Sequence, residues 1–183
     1  GIRYTSVTGV RRVIFRSRKA LAYYENVLPD VTNIQSRGEI LSTIARVQKK
    51  LKLVDEAIKT YDLLSNDYSE VLIQNKIPLG AVALLEKSLL YLTKKDTISA
   101  LKTVYLLMSQ MQKPLWELGY SDYANFLSKI DEIITLCKNS GNEDTGRFLE
   151  RINTMKDSLS MSGKRTEYLL AFQGSDENIT KNT

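Results

Sequence analysis

The sequence predicts a mostly all-α fold that is built from helical hairpins. Its 183 residues include only nine glycines and three prolines, and residues that favour helices, such as Leu, Lys, Ala and Glu, are frequent. Apolar residues recur at steps of three and four, which is the period of one face of an α-helix. A chain of this length can bury an ordinary core, so we expect one helical domain over residues 1–163.

The predicted helices follow one another with short breaks. The first extends from Val10 to Leu28 and stops before Pro29, because proline has no amide hydrogen for a helix interior. Four further helices form two hairpins, each with a short link between its helices. These helices cover residues 36–50 and 54–66 in the first hairpin, and 77–92, opened by Pro78 and Gly80, and 97–111 in the second. Residues 65–79 are expected to be largely irregular.

Beyond Pro114 the pattern predicts two closing helices and then a segment without the helical period. The first extends from Ser121 to Cys137, with Ser121 as N-cap, because a serine side chain can accept a hydrogen bond from a helix amide. The second covers residues 147–160. The run TEYLLAF alternates enough to predict a short strand. Residues 164–183 are therefore assigned to a strand-like segment and a polar tail that begin a following region.

The two hairpins repeat one arrangement of large and small residues. Small residues are needed where two helices nearly touch, and large ones where a neighbour must be filled. Leu41 and Ala57 are sixteen residues apart, and so are Leu84 and Ala100. The matched sets are Leu41, Ile44, Ala45, Gln48, Ala57 and Tyr61 in the first hairpin, and Leu84, Lys87, Ser88, Tyr91, Ala100 and Val104 in the second. A weaker copy of the second-helix pattern lies upstream at Ala20 and Tyr24.

This arrangement resembles a degenerate tetratricopeptide (TPR) repeat, which places such residues on two antiparallel helices. The resemblance implies hairpins stacked as a right-handed array. Gln48, Lys87 and Val104 depart from the TPR pattern, and the hairpins are 43 residues apart rather than the 34 of a regular array. An unrelated helical bundle with similar spacing is the alternative.

Composition argues against catalysis in this chain. It contains no histidine, which removes the commonest general base and the commonest transition-metal ligand. Its one cysteine, Cys137, lies on an apolar helix face and is expected to be buried. An enzyme that uses Glu143 and Asp144 is a weak alternative, since both lie in a predicted turn. We therefore predict no catalytic residue, no metal and no cofactor.

The chain begins with a strongly basic stretch and has a formal net charge of +5. Such a stretch can meet nucleic acid, acidic lipid or an acidic partner. Nucleic acid is disfavoured, because aromatic residues do not alternate with the arginines in the way that a stacking surface requires. A solvated helix face is the simpler interpretation. The basic residues are Arg3, Arg11, Arg12, Arg16, Arg18 and Lys19.

Stacked hairpins form a concave surface that is lined by their first helices. In the first hairpin the outward positions of this helix predict a basic groove for a carboxylate or an acidic peptide, with solvated charge as the alternative. These groove candidates are Glu39, Ser42, Arg46, Lys49 and Lys50. In the second hairpin the matching face is apolar and is expected to be covered by the following helices; it consists of Val82, Leu85, Leu89 and Leu92. Candidate pocket aromatics, which are otherwise core anchors, are Tyr91, Trp116 and Tyr120.

Three runs carry a more specific resemblance: ARVQKKLKLVDEAIKTYDLLSND, IPLGAVALLEKSLLYL and YANFLSKIDEII. Over about residues 15–138 the chain resembles the TPR-like extracytoplasmic region of some bacterial two-component sensor histidine kinases. The resemblance implies a sensor module of a signal-transduction protein, lying between membrane spans in the periplasm and binding a ligand or a partner protein. The kinase core would lie elsewhere, because the chain has no phosphoacceptor histidine.

The chain starts with Gly1 rather than Met, which agrees with a fragment of a membrane protein. No run of about 18 apolar residues is present that would span a bilayer. The alternative is a cytoplasmic TPR-like scaffold that binds peptides or acidic protein tails. In either case the partner of the groove is a small molecule, a protein or a second copy of the chain.

Overall fold

The computed structural model describes residues 4–73, 77–112, 120–138 and 145–158, and most of these residues are helical. The predicted mostly α-helical class is confirmed. The helices are α1 (Tyr4–Val27), α2 (Ile34–Lys50), α3 (Val54–Asp67), α4 (Leu79–Thr93), α5 (Thr97–Met111), α6 (Tyr120–Lys138) and α7 (residues 145–158). Two short strands, β1 (Leu72–Ile73) and β2 (Ile77–Pro78), lie between α3 and α4.

The helix ends near the start of the chain follow local chemistry. The predicted start of the first helix at Val10 is wrong, because α1 already begins at Tyr4. Its predicted end is nearly right: α1 stops at Val27, and Pro29 lies in a short 3-10 turn, where its missing amide hydrogen costs nothing. The side chain of Asn33 then accepts a hydrogen bond from the amide of Ser36 at 2.9 Å and caps α2.

The link between the hairpins is more ordered than the sequence predicts. α3 continues to Asp67, and β1 and β2 then pair antiparallel, with Ile73 opposite Ile77. The amide of Leu79 donates to the carbonyl of Val71 at 2.7 Å, so the link closes directly onto the start of α4. The Gln35 side chain donates to the carbonyl of Leu72, also at 2.7 Å. These bonds fix the link against α2.

The core consists of two clusters that share α4. One lies between α2, α3 and α4 and includes Leu41, Ala57 and Leu64. The other lies between α4, α5, α6 and α7 and includes Leu84, Ala100, Leu107 and Ile152. Because α4 supplies buried residues to both clusters, it joins the first hairpin (α2–α3) to the second (α4–α5).

Most of the repeated positions are buried in both hairpins, at the offset of 43 residues that the sequence comparison predicts. Two matched pairs differ: Ile44 and Gln48 are buried, whereas Lys87 and Tyr91 are only partly buried. The buried pairs are Leu41 and Leu84, Ala45 and Ser88, Ala57 and Ala100, Tyr61 and Val104, and Leu64 and Leu107. Burial at matched positions supports two copies of one packing unit.

Both hairpins also turn in the same way. Lys52 and Lys95, again 43 residues apart, have positive φ angles of 61° and 60°. In each turn the following amide bonds back five residues, from Leu53 to the carbonyl of Gln48 at 3.0 Å and from Asp96 to that of Tyr91 at 2.9 Å. This is the Schellman pattern that ends a helix, and it usually places glycine at the left-handed position.

Replacing either left-handed lysine by glycine is expected to stabilise the protein. A side chain in the left-handed region costs roughly 1–2 kcal/mol, and glycine avoids this cost but loses more entropy on folding. We expect Lys52→Gly and Lys95→Gly each to raise the free energy of unfolding by about 0.5–1 kcal/mol in urea titrations. Lys59→Gly, inside α3, should lower it by about 1 kcal/mol. A loss of stability in either turn variant would contradict the assigned turn geometry.

Gly38 allows the inter-hairpin link to approach α2 closely. A Cβ atom at Gly38 would lie 2.9 Å from a methyl carbon of Leu79 and 3.1 Å from one of Val71. Both neighbours are buried and have little room to move. The sequence analysis did not single out this glycine, because its partners lie more than thirty residues away.

Gly38→Ala is therefore expected to destabilise the protein by about 1–3 kcal/mol, although alanine favours helices more than glycine does. Gly146→Ala is the matched control, because nothing lies within 4 Å of a Cβ atom at that helical position. It should leave the free energy of unfolding unchanged or raise it by up to about 1 kcal/mol. Equal thermal denaturation midpoints for the two variants would show that the link does not pack on α2 as described.

The closing helices differ slightly from the prediction. Ser121 is not an N-cap, because α6 already begins at Tyr120. α7 already includes residues 145 and 146, before the predicted start at residue 147, and the predicted end at residue 160 lies outside the described residues. The predicted strand and the rest of residues 164–183 lie outside the described residues. No helix in the described ranges is long and apolar enough to cross a membrane.

Candidate functional site

The predicted groove residues of α2 do not all face solvent. Glu39, Arg46 and Lys50 are exposed. Ser42 is only 8% exposed, so its assignment as a ligand-facing residue is wrong. It lies one turn after Gly38, on the side of α2 that packs against Leu79 at the start of α4. The sequence could not show this, because the approach of α4 determines which edge of the polar face is covered.

An ion pair joins α2 to α4 at this surface. The Lys49 ammonium lies 2.5 Å from a carboxylate oxygen of Glu86, and both side chains remain partly exposed. Lys49 is therefore already paired, whereas the sequence predicts an unpaired cation at this position. Glu86 is a site residue that the sequence analysis missed, because no local pattern links positions 37 residues apart.

The remaining charged groups of α2 have weaker partners. Arg46 donates to the hydroxyl of Thr43 at 3.3 Å, and Glu39 accepts from Gln35 at 2.7 Å, both within α2. No carboxylate pairs with Arg46 within the described part of the chain. We call the surface formed by Arg46, Lys49, Lys50 and Glu86 the α2–α4 face. Its positive charges exceed its negative ones, and Arg46 can accept a carboxylate partner.

A buried hydroxyl group lies beneath these charges. Tyr61 of α3 is 1% exposed, and its hydroxyl has no hydrogen-bond partner among the described residues. Burial, reinforced by the negative charge of Glu86, raises the pKa of the Tyr61 phenol well above its ordinary value, while Arg46 acts to lower it. Both charges thus act on the hydroxyl from the α2–α4 face. The sequence analysis placed Tyr61 in the core and missed its polar end.

Two further ion pairs fasten α4 to α3. Lys87 pairs with Asp62, and Lys94 pairs with Asp55 at 2.6 Å. The Lys94 ammonium lowers the pKa of Asp55, chiefly through a side-chain hydrogen bond. Exposed and partly exposed pairs of this kind contribute little to stability, so they orient α4 more than they stabilise it. Lys87, which departs from the TPR pattern, thus has a role at the α3–α4 interface.

Of the three predicted pocket aromatics, the structure describes the side chain of Tyr91 only. Tyr91 is half-buried and packs against both core clusters, with the Lys87 ammonium 5.9 Å from its ring centre. Tyr120 is the first residue of α6, and Trp116 lies outside the described residues. The apolar residues of α4, in contrast, are half-buried against the second cluster, as predicted: Val82, Leu85, Leu89 and Leu92.

The basic start of the chain is exposed where its side chains are described. Arg16, Arg18 and Lys19 all face solvent, and the Lys19 ammonium lies 4.7 Å from the ring centre of Phe15. Arg3 lies outside the described residues. This part of α1 is a solvated face in the present structure, which agrees with the simpler interpretation of its charge.

Cys137 is fully buried, as predicted, and burial raises the pKa of its thiol. A buried thiol with a raised pKa carries little thiolate and is a poor nucleophile. Within the described ranges, no cluster of three or more Cys, Asp or Glu side chains could hold a metal ion.

Comparison with known proteins finds no relative of this chain. Protein-family models, curated proteins and solved structures all lack a match to this chain.

Proposed function

We propose that the chain is a TPR-like interaction module whose α2–α4 face binds an acidic peptide or another carboxylate ligand. The observation that carries the proposal is the exposed Arg46 guanidinium, which has no carboxylate partner among the described residues and stands beside the Lys49–Glu86 pair. Arginine binds carboxylates through two parallel hydrogen bonds, which gives such a contact both energy and orientation. Matched burial in the two hairpins supports the stacked repeat that presents this face.

In the setting that the family resemblance implies, the module is the extracytoplasmic sensor of a bacterial histidine kinase. Binding at the α2–α4 face would then favour one arrangement of the hairpins over another. A ligand changes such an equilibrium only through a difference in its affinity for the two arrangements. The alternative is a cytoplasmic scaffold that holds acidic protein tails on the same surface. Hydrophobic spans on both sides of this region in the full-length gene would support the sensor and contradict the scaffold.

A labelled hexaglutamate peptide tests the binding proposal. We expect the wild-type protein to bind it and not to bind hexaglutamine, and we expect affinity to fall as salt is raised. Arg46→Glu should weaken binding by at least about tenfold, since it removes the guanidinium and adds a like charge, and tenfold corresponds to about 1.4 kcal/mol. The measurement is fluorescence anisotropy.

Lys59→Glu makes the same change of net charge on α3 and serves as the control. It should alter affinity by less than about threefold, because an exposed charge away from the contact acts only through screened solvent. Equal effects of Arg46→Glu and Lys59→Glu would show that attraction is nonspecific and would contradict a site on the α2–α4 face.

A further inference from the structure

We infer that the α2–α4 face is occupied by its own carboxylate: Glu86 stands where the carboxylate of an acidic ligand binds, and the ligand displaces it from Lys49. The inference rests on the proposed function and describes how that same site is regulated. In the free protein Lys49 is paired with Glu86, and in the complex it pairs with the ligand.

The Lys49–Glu86 pair is well suited to exchange. Its atoms are 2.5 Å apart, but the two side chains are 43% and 27% exposed, so each can be solvated when the pair opens. A lysine ammonium is a compact charge that pairs equally with any carboxylate. Partly exposed pairs are weak because water screens their charges, so a ligand that also contacts Arg46 can compete with Glu86.

The Tyr61 hydroxyl lies in the electrostatic field of this pair. It is a buried donor without an acceptor among the described residues, and the negative charge of Glu86 contributes to the raised pKa of its phenol. Displacement of Glu86 from Lys49 therefore changes the electrostatic environment of this hydroxyl.

Displacement of Glu86 has a defined structural consequence. Within the described ranges, Lys49–Glu86 is the ion pair that joins α2 to α4, whereas the pairs at Lys87 and Lys94 join α4 to α3. A ligand that takes Lys49 therefore removes the ion pair between the first helices of the two hairpins and leaves their apolar packing and the pairs to α3 intact. Binding thereby weakens one of the contacts that set the angle between the hairpins.

The test compares hexaglutamate affinity in Glu86→Gln and Glu39→Gln. Both variants remove one negative charge, but only Glu86 is paired with Lys49. We expect Glu86→Gln to bind roughly three- to tenfold more tightly than wild type, because the internal competitor is gone. Glu39→Gln should change affinity by less than about twofold.

The outcomes separate the inference from the proposed function. If wild type binds hexaglutamate and Glu86→Gln binds it equally or more weakly, self-occupation is overturned while the acidic-ligand site stands. Equal gains in Glu86→Gln and Glu39→Gln also overturn the inference, because they reflect net charge alone. No binding by wild type or by Glu86→Gln overturns both. Binding that appears only in Glu86→Gln supports the inference, since the competitor then masks the site.

Discussion

Leu64→Ala and Leu107→Ala are each expected to lower the free energy of unfolding by about 2–5 kcal/mol. Both leucines are fully buried, and they occupy the same position in the second helix of each hairpin. Truncation removes the apolar contacts of the side chain and leaves a cavity that the tightly packed neighbours fill only in part. Two such losses at positions 43 residues apart would show that both hairpins bury this position to a similar degree.

The adjacent leucines provide a matched control. Leu63 and Leu106 are also 43 residues apart, but they are 40% and 44% exposed. Leu63→Ala and Leu106→Ala should each cost less than about 1 kcal/mol, because they remove little buried surface. Urea denaturation of the four variants measures the contrast directly. If Leu64→Ala or Leu107→Ala left the free energy of unfolding nearly unchanged, the two hairpins would not be equivalent at this position.

The second large effect concerns Tyr61. Tyr61→Ala should cost about 3–5 kcal/mol, as expected for removal of a buried aromatic ring. Tyr61→Phe should leave stability unchanged or raise it by about 1 kcal/mol, because it keeps the ring and removes a buried hydroxyl that has no partner. Guanidinium denaturation at neutral pH distinguishes the two variants. If Tyr61→Phe lowers the free energy of unfolding by about 2 kcal/mol or more, the loss matches that of a buried hydrogen bond. Such a result would show that the hydroxyl has a partner in the free protein.

The raised pKa of Tyr61 adds a dependence on pH. The folded protein holds the phenol proton, whereas the unfolded chain releases it above the ordinary value of 10.0. The stability of wild type should therefore fall as pH rises above that value, by up to about 1.4 kcal/mol per pH unit from this group. Tyr61→Phe lacks the group, so its advantage over wild type should grow between pH 10 and 11 by about 1 kcal/mol. A constant difference across this range would contradict burial of the phenol.

Most of the helical framework could be predicted because its signal is local. The burial of Leu41, Ala57, Leu84 and Ala100 follows from periodicity within each helix and from a spacing that two hairpins share. The strands at residues 72–73 and 77–78 are too short to show an alternating pattern. The left-handed turns were also missed, because lysine gives no sign of the backbone conformation that glycine usually marks.

The site was predicted less completely because it depends on distant contacts. Periodicity placed Arg46, Lys49 and Ser42 on one polar face of α2, but only the packing of α4 determines which of them remain open. That packing buries Ser42 and pairs Lys49 with Glu86. Tyr61 shows the same limit: its ring matches a repeat position, while the environment of its hydroxyl is set by charges on two other helices.

Mapping the hexaglutamate contact by NMR tests the central claim most directly. In a titration of the isotopically labelled protein, we expect the largest amide shift changes in α2 from Arg46 to Lys50 and in α4 around Glu86. The side-chain signal of Arg46 should move with them, and the outer residues of α5 near Leu106 should not respond. Two results would contradict a carboxylate site on the α2–α4 face. One is that the shift changes are centred on Arg16, Arg18 and Lys19 of α1. The other is that no shifts change at a peptide concentration of about 1 mM, which corresponds to a binding free energy of only about −4 kcal/mol.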